Sequence, residues 1–212
     1  MRRGEPVVRD LAAEERAEFA ALLDTLSPEQ WDAPTLCEDW RVRDVVAHVI
    51  SYDELSVRGL LRRLAGGRFA LPRVNALGVA EYATREPDEL VALLREHQRP
   101  SGLPSAFGGR IALVDAMIHQ QDIRRPLGLP RDIPARRLRP ALSFAMLAPP
   151  LRALPRIRGL RLVATDLDWT WGRGPEVRGP GEALLLAAAG RHGVARELTG
   201  PGQPVLARRV DG

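Results

Sequence analysis

Trp40-Arg-Val-Arg-Asp-Val-Val-Ala-His48 and Asp115-Ala-Met-Ile-His119-Gln-Gln-Asp122 decide how this chain reads. Each belongs to an apolar-periodic stretch, and each sets an imidazole where a core-facing residue is expected. Asp115 and His119 stand four apart, so a helix places them on one face, one turn above the other. Val114, Met117 and Ile118 flank the pair and make that face at least half buried. A carboxylate and an imidazole buried there need a strong partner, and a metal ion is the obvious one. If His48 faces them across a helix–helix seam, the three form a two-histidine, one-carboxylate set. A divalent metal such as zinc fits that set and keeps a coordination position open for chemistry. Asp122, one turn past His119, is placed either to orient that imidazole or to pair with Arg124 or Arg125. The plain alternatives are a structurally satisfied histidine at 48 and a helix-surface contact between 115 and 119, worth roughly a few tenths of a kcal/mol.

Outward from these segments the chain reads as helices joined by short or irregular connections. Leu11, Phe19, Leu22, Leu23 and Leu26 make a helical stripe over 10–26, with Asp10 as its cap. Ser27-Pro-Glu-Gln30 breaks and recaps the chain, and 31–40 is an irregular buried connection. A single long helix is predicted over 41–65, ended by Gly66-Gly67. A short helix over 74–84, a helix over 87–98 opened by Pro87, and a helix over about 110–125 after Gly108-Gly109 complete the set. Four main helices of this kind predict an antiparallel four-helix bundle over 1–128.

From Pro126 to Pro155 prolines crowd in, and 129–155 is expected to be a junction holding one helix over 135–148. Beyond it, 156–212 reads as a small α+β unit. Leu160–Asp166 alternates like a strand, Asp168–Gly172 like its antiparallel neighbour, 182–190 is an Ala-Leu helix, and Pro204-Val-Leu-Ala is expected as a final strand. The expected class is therefore mainly α, a bundle followed by a small α+β domain.

Composition narrows the function. All 31 basic residues are arginine, set against 27 acidic ones for a net charge of +4. The arginines are scattered and interleaved with acids, so no nucleic-acid partner is expected. A single cysteine, Cys37, excludes a disulfide framework or multi-cysteine zinc site within the chain. The basic N-terminus lacks an apolar segment after it and no stretch is long and apolar enough to span a bilayer, so a cytoplasmic chain without membrane contact is expected. His97, beside Glu96 and Arg99 at a helix end, and His192, after Gly190-Arg191, read as solvated or capping residues. Cys37 reads as a small buried apolar residue, and Trp31 and Trp40 as core anchors. Trp169 and Trp171 alternate as if on one strand face. Serine-nucleophile elbow, phosphate loop and dinucleotide fingerprint are all missing from the sequence.

Taken together, Thr35-x-Cys37-x-x-Trp40-x-Val-x-Asp44-Val-Val-Ala-His48 and Asp115-x-x-x-His119-x-x-Asp122 resemble the metal-binding domain of mycothiol-dependent maleylpyruvate isomerase and its actinobacterial relatives, a four-helix bundle of DinB/YfiT-like type. The tail resembles the small C-terminal domain of that family through Leu162-Val-Ala-Thr-Asp166, Trp169-Thr, Gly172-x-Gly174-Pro-x-Val177, Leu184-Leu-Leu, Gly190-Arg191 and Glu197-Leu-Thr-Gly200. The likeness runs nearly end to end and is least marked over 66–109. It implies a metal, most often zinc, held by His48, Asp115 and His119, with aspartate where the family usually has glutamate. It also implies mycothiol as thiol cofactor or co-substrate, and isomerase or S-transferase chemistry in which the metal-bound thiol attacks a small electrophile. Arg191 is the candidate partner for a substrate carboxylate. A metal-dependent hydrolase and a non-catalytic metal or small-molecule binding module are the alternatives. A monomer or homodimer is expected.

Overall fold

The structure, a computed structural model, describes residues 7–212; the first six residues, which begin the segment read as lacking a leader, lie outside it. The chain divides into two compact units, one ending at Pro130 and the other running from Arg131 to Gly212.

The first unit is helical throughout. It contains α1 (Val8–Leu23), α2 (Pro28–Trp31), α3 (Val42–Ile50), α4 (Val57–Gly66), α5 (Leu71–Ala80), α6 (Pro87–Glu96) and α7 (Ala106–Arg124). Helices α1, α3, α6 and α7 pack on one another as the four-helix bundle. Their shared core is built from Phe19, Leu22 and Leu23 of α1, Val42, Val45, Val46, Val49 and Ile50 of α3, Leu90 and Leu94 of α6, and Ala116 and Ile123 of α7. Removing a large member of such a core, as in Phe19→Ala, costs about 3–5 kcal/mol in comparable proteins. Helix α1 starts two residues before the expected Asp10, which lies in its first turn instead of capping it. Ser27 caps α2 reciprocally with Gln30: the Gln30 amide donates to Ser27 Oγ, and the Ser27 amide to Gln30 Oε1 at 2.8 Å.

The single helix expected over 41–65 is two helices. The apolar period continues through Leu55, Leu60 and Leu61, but Leu61 is 60% exposed. Ser51–Ser56 instead forms a turn whose Asp53 enters the bundle to meet Arg16 at 2.9 Å. Ser56 restarts the chain as a cap, its Oγ accepting from the Gly59 amide at 3.1 Å. Helix α7 opens through residues with positive φ at Phe107, Gly108 and Gly109. At Gly109, φ is +88°, and a Cβ would stand 3.0 Å from the Arg9 Cα, so glycine both turns the chain and lets α1 approach.

The second unit holds α8 (Ala135–Ala145), α9 (Ala153–Ile157), β1 (Arg161–Ala164), β2 (Thr170–Gly172), β3 (Glu176–Gly179), α10 (Gly181–Ala188) and α11 (Gln203–Asp211). The sheet order is β2-β1-β3; β1 runs antiparallel to β2, with Leu162 opposite Trp171, and parallel to β3, with Leu162 opposite Val177. Two elements differ from expectation. Glu176–Gly179 is a strand that the glycines and Pro175 around it concealed. Pro204-Val-Leu-Ala is helical: proline sits in the first turn of α11, and Leu206 and Val210, four apart, are its buried residues. Much of the stretch expected as a junction is structure of this unit, because α8 buries Leu138, Ala141, Leu142 and Ala145. The two tryptophans do not share a face. Trp169 is buried and donates from Nε1 to Ser143 Oγ at 3.0 Å, whereas Trp171 is half-buried beside an open apolar depression with Leu154, Ile157 and Leu160. No helix among the described residues is long and apolar enough to cross a membrane.

Candidate metal centre

Helix α3 begins at an extended Arg41 whose amide donates to Asp44 Oδ2 at 3.0 Å, placing a carboxylate at the positive end of the helix. Two turns on, the same face that buries Val45 and Val49 brings His48 into the interior. Helix α7 presents Asp115 and His119 from the facing side. His48 Nε2 lies 3.6 Å and His119 Nε2 lies 3.4 Å from the same oxygen, Asp115 Oδ1. The three donor atoms all fall within 4.8 Å of one another. Ligands bound about 2.0–2.1 Å from a tetrahedral zinc stand roughly 3.3 Å apart, so the two measured separations match edges of such a polyhedron. Aspartate, although a methylene shorter than glutamate, reaches both imidazoles here.

The histidine side chains are 9% exposed, while the Asp115 side chain is 30% exposed and forms the open side of the cluster. Aromatic rings enclose the rest. Trp40 lies against His48 with ring centroids 5.0 Å apart and reaches His119 at 6.5 Å, and Tyr52 meets the His48 ring edge-on at 5.8 Å. Tyr52 is held in turn, its hydroxyl donating to Asn75 Oδ1 at 2.7 Å and the Arg63 guanidinium lying 5.2 Å over its ring. Trp31 is the buried anchor that was expected; Trp40 is a wall of the site.

Burial works against charge on Asp115, yet the two imidazoles, His119 foremost, hold its carboxyl well below the ordinary range. Burial likewise works against a charged His119, but Asp115, and after it Asp122 and Cys37, hold that imidazole well above its ordinary value of 6.5. Two imidazoles sharing one carboxylate oxygen form a cluster that calls for a cation, either a proton or a metal.

Asp122 is fully buried and its Oδ2 lies 2.9 Å from His119 Nδ1, the orienting contact that was one of two expectations for it. Cys37 was missed. Its Sγ donates to the same Asp122 oxygen at 3.1 Å and lies 3.8 Å from His119 Nδ1. The connection that carries it is knitted by Thr35, whose Oγ1 accepts from the Cys37 amide at 3.1 Å and donates to the Trp40 carbonyl at 2.9 Å. The Leu36 amide donates to the Asp122 carbonyl at 3.0 Å and docks the loop on α7. The Thr-x-Cys-x-x-Trp spacing was the available signal, since one turn presents both the thiol and the indole.

The remaining histidines lie elsewhere. His97 is the C-cap of α6, the second of its two expected roles, and its carbonyl accepts from Arg16 at 2.7 Å. His192 is exposed, 3.9 Å from Asp211. Arg191 is half-buried just after Gly190, where α10 ends, and its amide donates to the Leu186 carbonyl at 2.9 Å. Burial, and after it the charges of Arg152 and Arg191, lowers the pKa of the Arg156 guanidinium from its ordinary value.

Residues 12–100 match the family model described as the mycothiol maleylpyruvate isomerase N-terminal domain. That span contains His48 and Cys37 but ends before α7. No curated protein matches the chain. Among solved structures, the crystal structure of the mycothiol-dependent maleylpyruvate isomerase is similar at 17% identity over 92% of each chain, with a TM-score of 0.63. The crystal structure of a histidine-to-alanine mutant of a mycothiol-dependent maleylpyruvate isomerase is similar at 18% identity over 92% of each chain, with a TM-score of 0.61. The resemblance carried by the motifs is borne out at the level of the fold: residues 12–100 match the model of the mycothiol maleylpyruvate isomerase N-terminal domain, and the chain shares the fold of the mycothiol-dependent maleylpyruvate isomerase.

Proposed function

We propose that this chain is a metal-dependent, mycothiol-using isomerase or S-transferase of the maleylpyruvate isomerase type. The observation that carries the reading is the convergence of His48 Nε2 and His119 Nε2 on Asp115 Oδ1, at 3.6 and 3.4 Å. Those three side chains would hold a divalent ion, with zinc first among candidates because imidazole and carboxylate donors at tetrahedral spacing suit it. When bound, the metal supplies a Lewis acid that keeps a cofactor thiol as thiolate near neutral pH.

The residues divide the remaining work. Two neutral imidazoles and one carboxylate leave a divalent ion with a net positive charge, which favours an anionic sulfur over water at the open position. Trp40 and Tyr52 keep solvent from the imidazoles and stiffen His48. Asp115, on the open side, leaves room for a thiol and a small electrophile. Arg191 is proposed to bind a substrate carboxylate through the planar fork of its guanidinium. A thiol held there as thiolate would supply reversible nucleophilic addition to an electrophilic double bond, chemistry that isomerises a substrate without net redox change.

Metal analysis of the purified protein beside His48→Ala and His119→Ala tests the site: about one ion per chain is expected in the wild type and none in the variants. Saturable, metal-dependent binding of mycothiol then tests the thiol step. Metal without thiol binding would overturn the thiol reading and leave a metal-bound water, hence hydrolysis, as the chemistry of the open position.

A further inference from the structure

We infer that Cys37 is a positioning residue of the metal site, acting on His119 through Asp122. The inference rests on the metal-binding reading of His48, Asp115 and His119. The geometry is a three-member chain. The Cys37 thiol donates to Asp122 Oδ2 at 3.1 Å, and the same oxygen lies 2.9 Å from His119 Nδ1. A carboxylate oxygen can only accept, so the His119 nitrogen facing Asp122 is the one that carries a proton. That leaves Nε2, the nitrogen aimed at Asp115 and His48, with its lone pair free for a metal.

Cys37 governs how firmly this tautomer is imposed. Asp122 is fully buried and Oδ2 serves two donors, so its orientation is set from the loop as well as from the helix. The loop is no loose contact: Thr35 ties both ends of the Cys37 turn, and Leu36 is bonded to the Asp122 backbone. The turn thus grips residue 122 at its carbonyl and at its carboxylate. Loss of the sulfur would remove a donor and open space into which the carboxylate can rotate away from Nδ1. Serine keeps a donor at nearly the same place.

Zinc dissociation constants, measured by competition with a chromophoric chelator for the wild type, Cys37→Ala, Cys37→Ser and Asp122→Asn, test this. Direct outer partners of metal-bound histidines typically change affinity by about 10–100-fold, which is the loss expected for Asp122→Asn. One bond further out, Cys37→Ala is expected to weaken zinc binding roughly three- to tenfold, with Cys37→Ser within about twofold of wild type. In the zinc-loaded protein the low-field His119 Nδ1–H resonance is expected to shift in Cys37→Ala and to return in Cys37→Ser. Combining Cys37→Ala with Asp122→Asn should cost no more than Asp122→Asn alone. Zinc affinity and resonance unchanged in Cys37→Ala, or losses that add in the double variant, overturn the inference. A wild type that binds no zinc overturns the metal site itself, which separates the two failures.

Discussion

Two groups of charge are buried in the same helical unit, and they are closed in different ways. In the first, Arg16 of α1 donates to Asp53 at 2.9 Å and to the His97 carbonyl at 2.7 Å, while the Ser101 amide reaches Asp53 at 3.3 Å. Both charged side chains are fully buried, and a permanent cation neutralises the carboxylate. In the second, His48 and His119 share Asp115 Oδ1 with no arginine among the three, and the carboxylate retains 30% exposure. The first group is a closed structural brace. The second is open to solvent, and that opening would admit a proton or, on the proposed function, a metal ion.

Breaking the brace should give the largest effect. Arg16→Met leaves Asp53 buried without its cation and is expected to cost about 3–5 kcal/mol in urea unfolding, by analogy with other buried pairs. Changing both partners to apolar residues should recover much of that loss. A brace whose single and double variants are equally destabilised would contradict this account.

Opening the second group should leave the fold and remove the metal. Structural zinc sites bind with roughly 10–16 kcal/mol over four ligands, so one ligand is worth on the order of 3 kcal/mol. His48→Ala should therefore weaken zinc binding at least about a hundredfold while the metal-free protein unfolds near the wild-type midpoint. Parallel losses of stability and metal affinity would make His48 a brace residue like Arg16.

Titration separates the groups a third way. The Asp115 carboxyl is depressed, so its contribution to metal-free stability is present above its ordinary value of 3.8 and is lost as pH falls through the depressed one. His119 is raised, so its contribution is full below 6.5 and is lost as pH rises through the raised value. The metal-free site stabilises most between those two ordinary values. In the brace, burial outweighs the pull of Arg16 and holds Asp53 above its ordinary range. Its contribution therefore declines as pH rises from 3.8 through the raised value and stays level beyond, because Arg16 does not titrate. Zinc must displace the His119 proton, so affinity is expected to rise from pH 6 to pH 7.5; a pH-independent dissociation constant would contradict the protonated site.

The smallest effect is expected from Asp115→Glu. Asp115 already reaches both imidazoles, and the added methylene has an open side to occupy, so zinc affinity should stay within about tenfold of wild type or rise. A larger loss would mean that residue 115 is not a ligand.

Local periodicity made the second group legible and left the first hidden. Asp115 and His119 share a face because a helix repeats every 3.6 residues, a relation contained in five consecutive positions. His48 sits in a run of valines whose stripe predicts burial. The brace has no such signature: Arg16 and Asp53 are far apart in sequence, and the apolar period of 41–65 runs straight through the turn that delivers Asp53. Cys37 was read as a small buried apolar residue because its partner, Asp122, lies far along the chain on α7. The final Val-Leu-Ala run was too short for its period to separate strand from helix, and the buried pair Leu206 and Val210 decided it.

The chain's own order of residues determined the helical bundle, the small α+β tail and the identity of the candidate metal donors, since these follow from periodicity, punctuation and residue chemistry within short windows. Tertiary structure alone decided that His48 meets Asp115 and His119, that Asp53 in the turn after α3 meets Arg16, and that the loop before α3 brings Trp40 and Cys37 to His119. Each of those depends on a partner tens of residues away, and only packing of the whole unit determines where such a partner lies.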